Sequence, residues 1–231
     1  MNTTKLKKYL KKIPILGAAI WFVKGKIFPN NWFVNSEDYW KKRYESGGNS
    51  GAGSYNKLAE FKAEIINAFV EKNNIQTVIE LGCGDGNQLK YFRFPAYIGF
   101  DISDFILEKC RKQFANDKNK QFLNMSDISY QKSDLTLSLD VIYHLVEDDV
   151  YGDYMNKLFD LSDKYVIIYA LDAHEWGDEV AHVKARKFTD WIKTNRPNFK
   201  LIQHIPNKYP FINEKQDSTS ISDFYIYKKN S

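Results

Sequence analysis

A short β-branched strand that runs directly into three alternating glycines is the feature that most narrows the folds open to this chain. Thr77 to Leu81 reads TVIEL, and Gly82-Cys-Gly84-Asp-Gly86 follows without a gap. A brief, mostly apolar run of this kind suits a strand buried on both faces, and such strands belong to parallel sheets covered by helices. Glycines at every second position let the backbone approach a ligand closely. The spacing predicts that a helix opens at Asn87, and its first amides are free to donate to that ligand.

The rest of the chain continues the alternation. Leu58 to Lys72 (LAEFKAEIINAFVEK) carries apolar residues at helical spacing just before the first strand. After the glycines come a strand at Tyr97 to Phe100, a helix at Phe105 to Phe114 and strands at Gln121 to Asn124 and Leu135 to Leu139. A helix at Val150 to Phe159, a strand at Tyr165 to Tyr169 and a helix from Phe188 (FTDWIKTN) follow. Strands at Lys200 to Ile205 and Asp223 to Tyr227 end the series, and they suit an antiparallel closing hairpin. This order specifies an α/β fold: a Rossmann-like, mostly parallel seven-stranded sheet with helices on both faces. Gly47 to Ser54 (GGNSGAGS) reads as a mobile loop.

At 231 residues the chain holds one core of ordinary domain size. Its charge of +4 is uneven, because residues 1–26 hold seven lysines and no acid. The remaining 26 basic and 29 acidic residues leave the body near −3. A nucleic-acid partner is therefore not expected, since a binder carries its basic excess on the folded body. Residues 1–36 read as a basic and apolar helical extension and 37–231 as the main domain, with 37–56 as a covering segment. Ile13 to Val23 is too short to span a bilayer, which takes about 20 apolar residues. Two readings of the extension stay open: peripheral association of residues 5–26 with anionic lipid at the inner face of a membrane, or packing on the protein's own surface. Cys83 and Cys110 form no disulfide framework or zinc spacing, which fits a reducing cytoplasm.

The GxGxG spacing differs from the GxGxxG dinucleotide fingerprint. Asp101, 19 residues after Gly82, ends the second strand, where a carboxylate accepts hydrogen bonds from both hydroxyls of a ribose. At the end of the third strand, Asp127 and Ile128 offer one polar and one apolar contact, suited to an adenine.

In combination, VIELGCGDG, Asp101, Asp127 and DLTLSLDVIYHL resemble the class I S-adenosylmethionine-dependent methyltransferases, over roughly Tyr39 to Tyr169. The resemblance implies S-adenosyl-L-methionine as cofactor. Glu80, Gly82 and Gly84 would then surround its methionine part, Asp101 and Ile102 its ribose, and Asp127 and Ile128 its adenine, with Leu139 on the strand lining the transfer site. YWKKRY is similar to a lid segment of that superfamily, which makes Tyr39 and Arg43 candidate contacts and Arg43 the partner of the cofactor carboxylate. YWKKRYESGGNSGAGSYNKLAEFK, SLDVIYHLVEDDVY and HVKARKFTDWI with PNKYP resemble a bacterial subgroup associated with capsule and surface polysaccharide. Some of its members methylate a phosphoramidate and depend on a divalent metal such as manganese.

Methyl transfer to a hydroxyl needs alignment and a base. Asp140 and His144 follow the fourth strand four residues apart. One helical turn would aim both the same way, as a catalytic pair or as ligands of manganese or magnesium. Asp172 and His174 are rival ligands. His182 is a third catalytic candidate, and it repeats the four-residue spacing with Arg186, which with Tyr143 would contact a substrate such as an anionic acceptor. His204 reads as a hydrogen-bonded core histidine. The expected activity is O-methylation of a small phosphorylated or sugar-like acceptor, including a nucleotide-linked phosphoramidate, in surface-polysaccharide biosynthesis. The alternatives are an NAD-dependent sugar-nucleotide oxidoreductase or epimerase, and a catalytically silent membrane-apposed module that binds the cofactor.

Overall fold

The computed structural model describes residues 33–129, 131–177 and 180–230. The lysine-rich extension and both readings of it therefore fall almost wholly outside the described residues. Among these residues, no helix is long and apolar enough to cross a membrane.

Seven strands form one sheet in the order β3-β2-β1-β4-β5-β7-β6. They are β1 (Thr77–Leu81), β2 (Ala96–Asp101), β3 (Lys120–Asn124), β4 (Ser133–Leu139), β5 (Ser162–Ala170), β6 (Phe199–Ile205) and β7 (Asp223–Lys229). The first five pair in parallel, and β7 inserts antiparallel between β5 and β6. The chain winds outward from β1 through β2 to β3, then returns to place β4 on the other side of β1. This reversal opens a crevice at the carboxyl ends of β1 and β4.

Successive strand residues point to opposite faces, so the sheet supports two cores. Leu135 and Leu137 of β4 and Ile167 and Tyr169 of β5 pack with Phe61, Ile66, Phe69 and Val70 of helix α2 (Asn56–Lys72). Leu107 and Cys110 of α3 (Asp104–Gln113) join this core. On the opposite face, Ile79, Ile98, Val166 and Ile168 meet Tyr154, Met155, Leu158 and Phe159 of α4 (Asp148–Asp160). Phe188 and Ile192 of α5 (Phe188–Asn195) extend that core.

Ahead of α2 lies helix α1 (Ser36–Glu45). Its N-cap Asn35 accepts a hydrogen bond from the Asp38 amide at 2.7 Å, and Glu37 and Asp38 complement the dipole of its first turn.

Three local expectations are corrected. The helix predicted from Asn87 is a single 3-10 turn at Gln88–Tyr91, because the chain is already extended at Phe92 and β2 begins at Ala96. Gly47 to Ser54 is tied down rather than mobile. Asp85 accepts from the Ser50 amide at 3.0 Å and the Tyr55 hydroxyl at 2.6 Å, and Asn87 donates to the Ser54 carbonyl at 2.8 Å. His204 lies on the exposed edge strand and not in a core; its Nε2 is 2.9 Å from Asp223.

Candidate functional site

The glycine turn after β1 is shaped by its neighbours. Both the Gly82 and Cys83 amides donate to the Phe100 carbonyl, at 2.7 and 2.9 Å, folding the turn back over β2. Gly82 has φ +82° and Gly84 φ +58°, in the left-handed region. A side chain at Gly82 would stand 2.6 Å from Val141 Cγ2, and one at Gly84 would overlap Ser50 Oγ. The Gly84 amide donates to Asp101 Oδ2 at 3.0 Å, and Ser103 N donates to Oδ1 at 3.1 Å. The turn and the Asp101 carboxylate thus face one crevice. Burial pushes Asp101 up to about 6 despite these backbone donors.

That crevice is a cavity of about 330 Å³, within the range of small-ligand sites. Gly82, Gly84, Asp101, Ile102 and Met125 form part of its wall. Helix α1 covers it with one stripe, Ser36, Trp40 and Tyr44, each one turn beyond the last. Glu147 holds the start of that helix: its two carboxylate oxygens accept from the Ser36 amide at 3.0 Å and the Ser36 hydroxyl at 2.6 Å.

Beyond β4 the wall is polar. Asp140, at φ +59°, accepts from Lys62 Nζ at 2.8 Å, the Ser222 hydroxyl at 2.8 Å and the Tyr143 hydroxyl at 3.0 Å. Lys62 is fully buried. His144 Nδ1 lies 3.0 Å from the His182 carbonyl, which can only accept, so Nδ1 carries the proton and Nε2 is left with its lone pair. Burial lowers His144 to about 4, so the ring is neutral. Trp40 meets it edge-on at 4.9 Å.

Glu80 is buried beside the turn and accepts from the Tyr97 hydroxyl at 2.6 Å. Burial raises it to about 7. A carboxyl raised in the folded state contributes stability that is complete below its ordinary pKa and lost as pH climbs through 7. Glu80→Gln keeps an acceptor for Tyr97 and abolishes that loss. It is expected to raise thermal stability of the unliganded protein by about 3 kcal/mol at pH 8 and by little at pH 4.5, read by melting curves at both pH values. An equal effect at both would contradict a buried ionising carboxylate.

No protein-family model and no curated protein sequence matches the chain. Solved structures do. The N-methyltransferase NodS from Bradyrhizobium japonicum WM9, in complex with S-adenosyl-L-homocysteine, aligns with a TM-score of 0.65 at 12% identity, over 85% of this chain and 100% of its own. Magnesium protoporphyrin IX methyltransferase (ChlM) from Synechocystis PCC 6803 aligns at 0.57 and 14% identity, over 89% and 100%. The methyltransferase domain of bacterial CtHen1 aligns at 0.57 and 18% identity, over 76% and 100%. The fold is that of the class I methyltransferases.

On that methyltransferase fold, the residues singled out in the sequence divide into two groups. Glu80, Gly82, Gly84, Asp101, Ile102, Leu139, Asp140 and His144 all line the cavity. Tyr39 and Arg43 occupy the helical stripe beside the one that faces it. Arg43 donates Nε to the Asn49 carbonyl at 2.7 Å, and Tyr39 stacks on His182 at 4.3 Å. Asp127 is exposed and Ile128 packs into the second core, both outside the cavity wall.

Asp140 and His144 do not form a pair. The segment between them is a 3-10 turn at Ile142–His144, with three residues per turn, so a spacing of four does not align them. Arg186 is not a substrate contact: it donates to the Leu145, Val146 and Glu147 carbonyls and pairs with Asp148. It thereby fixes the loop that carries His144 and Glu147.

The donor set does not fit a metal. Asp140 already receives three donors, and His144 has only Nε2 left. Asp172 is held by Lys187 and Thr189, while His174 is exposed and 3.6 Å from Asp190. Among the described residues no group of three metal-ligating side chains occurs.

Lys62, Trp40, Tyr44, Gln88 and Glu147 were not singled out in the sequence. Lys62 carried the one usable signal: it is a lysine on the mostly apolar buried stripe of an amphipathic helix.

Proposed function

We propose that this protein transfers a methyl group from S-adenosyl-L-methionine to a hydroxyl oxygen of a small, uncharged, sugar-like acceptor. The observation that carries the reading is the shared crevice at the strand reversal. The Gly84 amide and Asp101 carboxylate stand at one end, and a neutral histidine with a free Nε2 stands beyond β4. When bound, the cofactor supplies a methyl on a positively charged sulfonium, open to in-line displacement. Asp101 accepts from the ribose hydroxyls, the acidic walls favour the cation, and Trp40 and Tyr44 exclude water. His144 Nε2 accepts the proton of the attacking hydroxyl.

The walls also narrow the acceptor. They carry Glu37, Glu80, Asp101, Asp140, Glu147 and Asp149 against one cation, Lys62, which is already paired. A phosphate or phosphoramidate would find no unpaired cation there, so a neutral sugar hydroxyl of the surface-glycan kind suits the site better.

The test is calorimetric titration with S-adenosylhomocysteine, followed by labelled methyl transfer to a panel of sugars and sugar nucleotides. Binding and turnover are expected without added metal. His144→Ala is expected to lower kcat by about 10²–10⁴ with cofactor binding unchanged. No binding at sub-millimolar cofactor would overturn the reading.

A further inference from the structure

The base proposed above, His144, is enclosed by a second histidine to which no part of the reaction has been assigned. His182, a catalytic candidate in the sequence, is half-buried and stands outside the cavity wall. Its backbone is fastened beside the turn that carries His144: the Lys184 amide donates to the Tyr143 carbonyl at 2.8 Å, and the His182 carbonyl accepts from His144 Nδ1 at 3.0 Å. Its ring belongs to a file of three nearly parallel rings, 4.3 Å from Tyr39 at an interplanar angle of 13° and 5.7 Å from His144 at 12°. Trp40 meets His144 edge-on at 4.9 Å and itself lines the cavity.

Consecutive residues of a helix point about 100° apart, so Tyr39 and Trp40 reach different targets. Trp40 covers the cavity, and Tyr39 grips the ring of His182. In this seat α1 therefore covers the cavity and encloses both histidines together. Arg43, offered by the sequence for a cofactor carboxylate, braces the same contact. Its Nη1 donates to the Tyr39 hydroxyl at 3.3 Å, and its guanidinium lies over Trp40 at 5.5 Å.

We propose that His182 is a positioning residue that ties the seat of α1 to the state of His144. Its carbonyl sets which nitrogen of the base holds the proton, and its ring, gripped by Tyr39, keeps water from the base. This rests on the proposed methyl transfer and adds a reason that the acceptor hydroxyl loses its proton only under a covered cavity. The titratable and charged groups facing the two rings are Tyr39 and Arg43 from α1, Asp140 and Tyr143 beyond β4, and each other. Burial lowers His144 to about 4 and lowers His182 as well, and Arg43 acts on both in the same direction. Removing either ring of the Tyr39–His182 stack admits water to His144, so its value rises toward the ordinary 6.5.

The test is an imidazole ¹⁵N NMR titration of the full chain, with its four histidines assigned by single substitution, and methyl-transfer kinetics in parallel. Wild-type His144 is expected to carry its proton on Nδ1 and to stay neutral below pH 5. In H182A, and separately in Y39A on the other side of the contact, its midpoint should rise from about 4 to above 5. In both, kcat should fall by about 10–100-fold through misplacement of the base. H182F and Y39F keep the stacked rings and should keep the wild-type midpoint. Should H182A not fold, Y39A reads the same contact from a different element. A midpoint unmoved in both H182A and Y39A, an equal shift in H182F and H182A, or a wild-type His144 protonated on Nε2 overturns the positioning role and leaves the methyltransferase reading standing. Wild type that binds no S-adenosylhomocysteine overturns that reading instead, and the titration, which needs no turnover, still decides the contact between the rings.

Discussion

Replacing Asp101 by Asn is expected to cut affinity for S-adenosylhomocysteine by at least about 100-fold, because two charge-assisted hydrogen bonds to ribose hydroxyls weaken together. The substitution keeps the shape of the side chain, and its remaining oxygen still accepts from Gly84 or Ser103, so loss of fold does not explain the loss of binding. The same carboxyl sits near 6 because it is buried. Wild-type affinity should therefore weaken as pH falls below 6, whereas D101N affinity should be flat over that range. With the folded value raised, ionised Asp101 lowers the stability of the unliganded protein above pH 6, so D101N should melt higher at pH 8 while binding worse. Calorimetry at pH 5 and 8 with parallel melting curves reads both effects. D101N binding within threefold of wild type at pH 8 would remove Asp101 from the site.

Lys62→Met alone is expected to destabilise the protein by about 3–5 kcal/mol, since it strands Asp140 as an uncompensated charge among buried groups. Adding Asp140→Asn should return most of that, because an amide oxygen still accepts from Ser222 and Tyr143 and no charge remains. Denaturant unfolding of wild type, both single variants and the double variant forms the cycle. Additive effects, with the double variant no better than K62M, would mean that the pair contributes nothing through its interaction. Asp140 is held in the left-handed region at φ +59°, so the network also bears on a strained position, and D140G is a useful comparison.

The parts of the site legible in the sequence are those whose role is set by a neighbour in the chain. Gly82 and Gly84 follow a buried strand directly, and Asp101 and Leu139 each end one. The carboxyl ends of adjacent parallel strands must lie together, so these residues could be grouped before any coordinate was known. Residues placed by packing between distant segments were misjudged or missed. On α1 the facing stripe is Ser36, Trp40 and Tyr44, and not Tyr39 and Arg43, because Glu147, 111 residues from Ser36, sets the rotation of the helix. Arg186 has the chemistry to grip an anion, but three carbonyls of the 145–147 loop take its donors. The expected Asp140–His144 pair assumed a four-residue turn where the chain makes a three-residue one.

The strand-helix alternation, the glycine turn and the acid ending the second strand are properties of the chain alone, because hydrophobic periodicity and glycine backbone freedom act over a few residues. The tertiary structure decided which helical stripe covers the cavity, that Lys62 neutralises Asp140, that His144 is neutral with Nε2 free, and that no three metal-ligating side chains converge among the described residues. Each of these depends on the direction of a side chain relative to a partner dozens of residues away, and such directions are fixed only when the two cores close on the sheet.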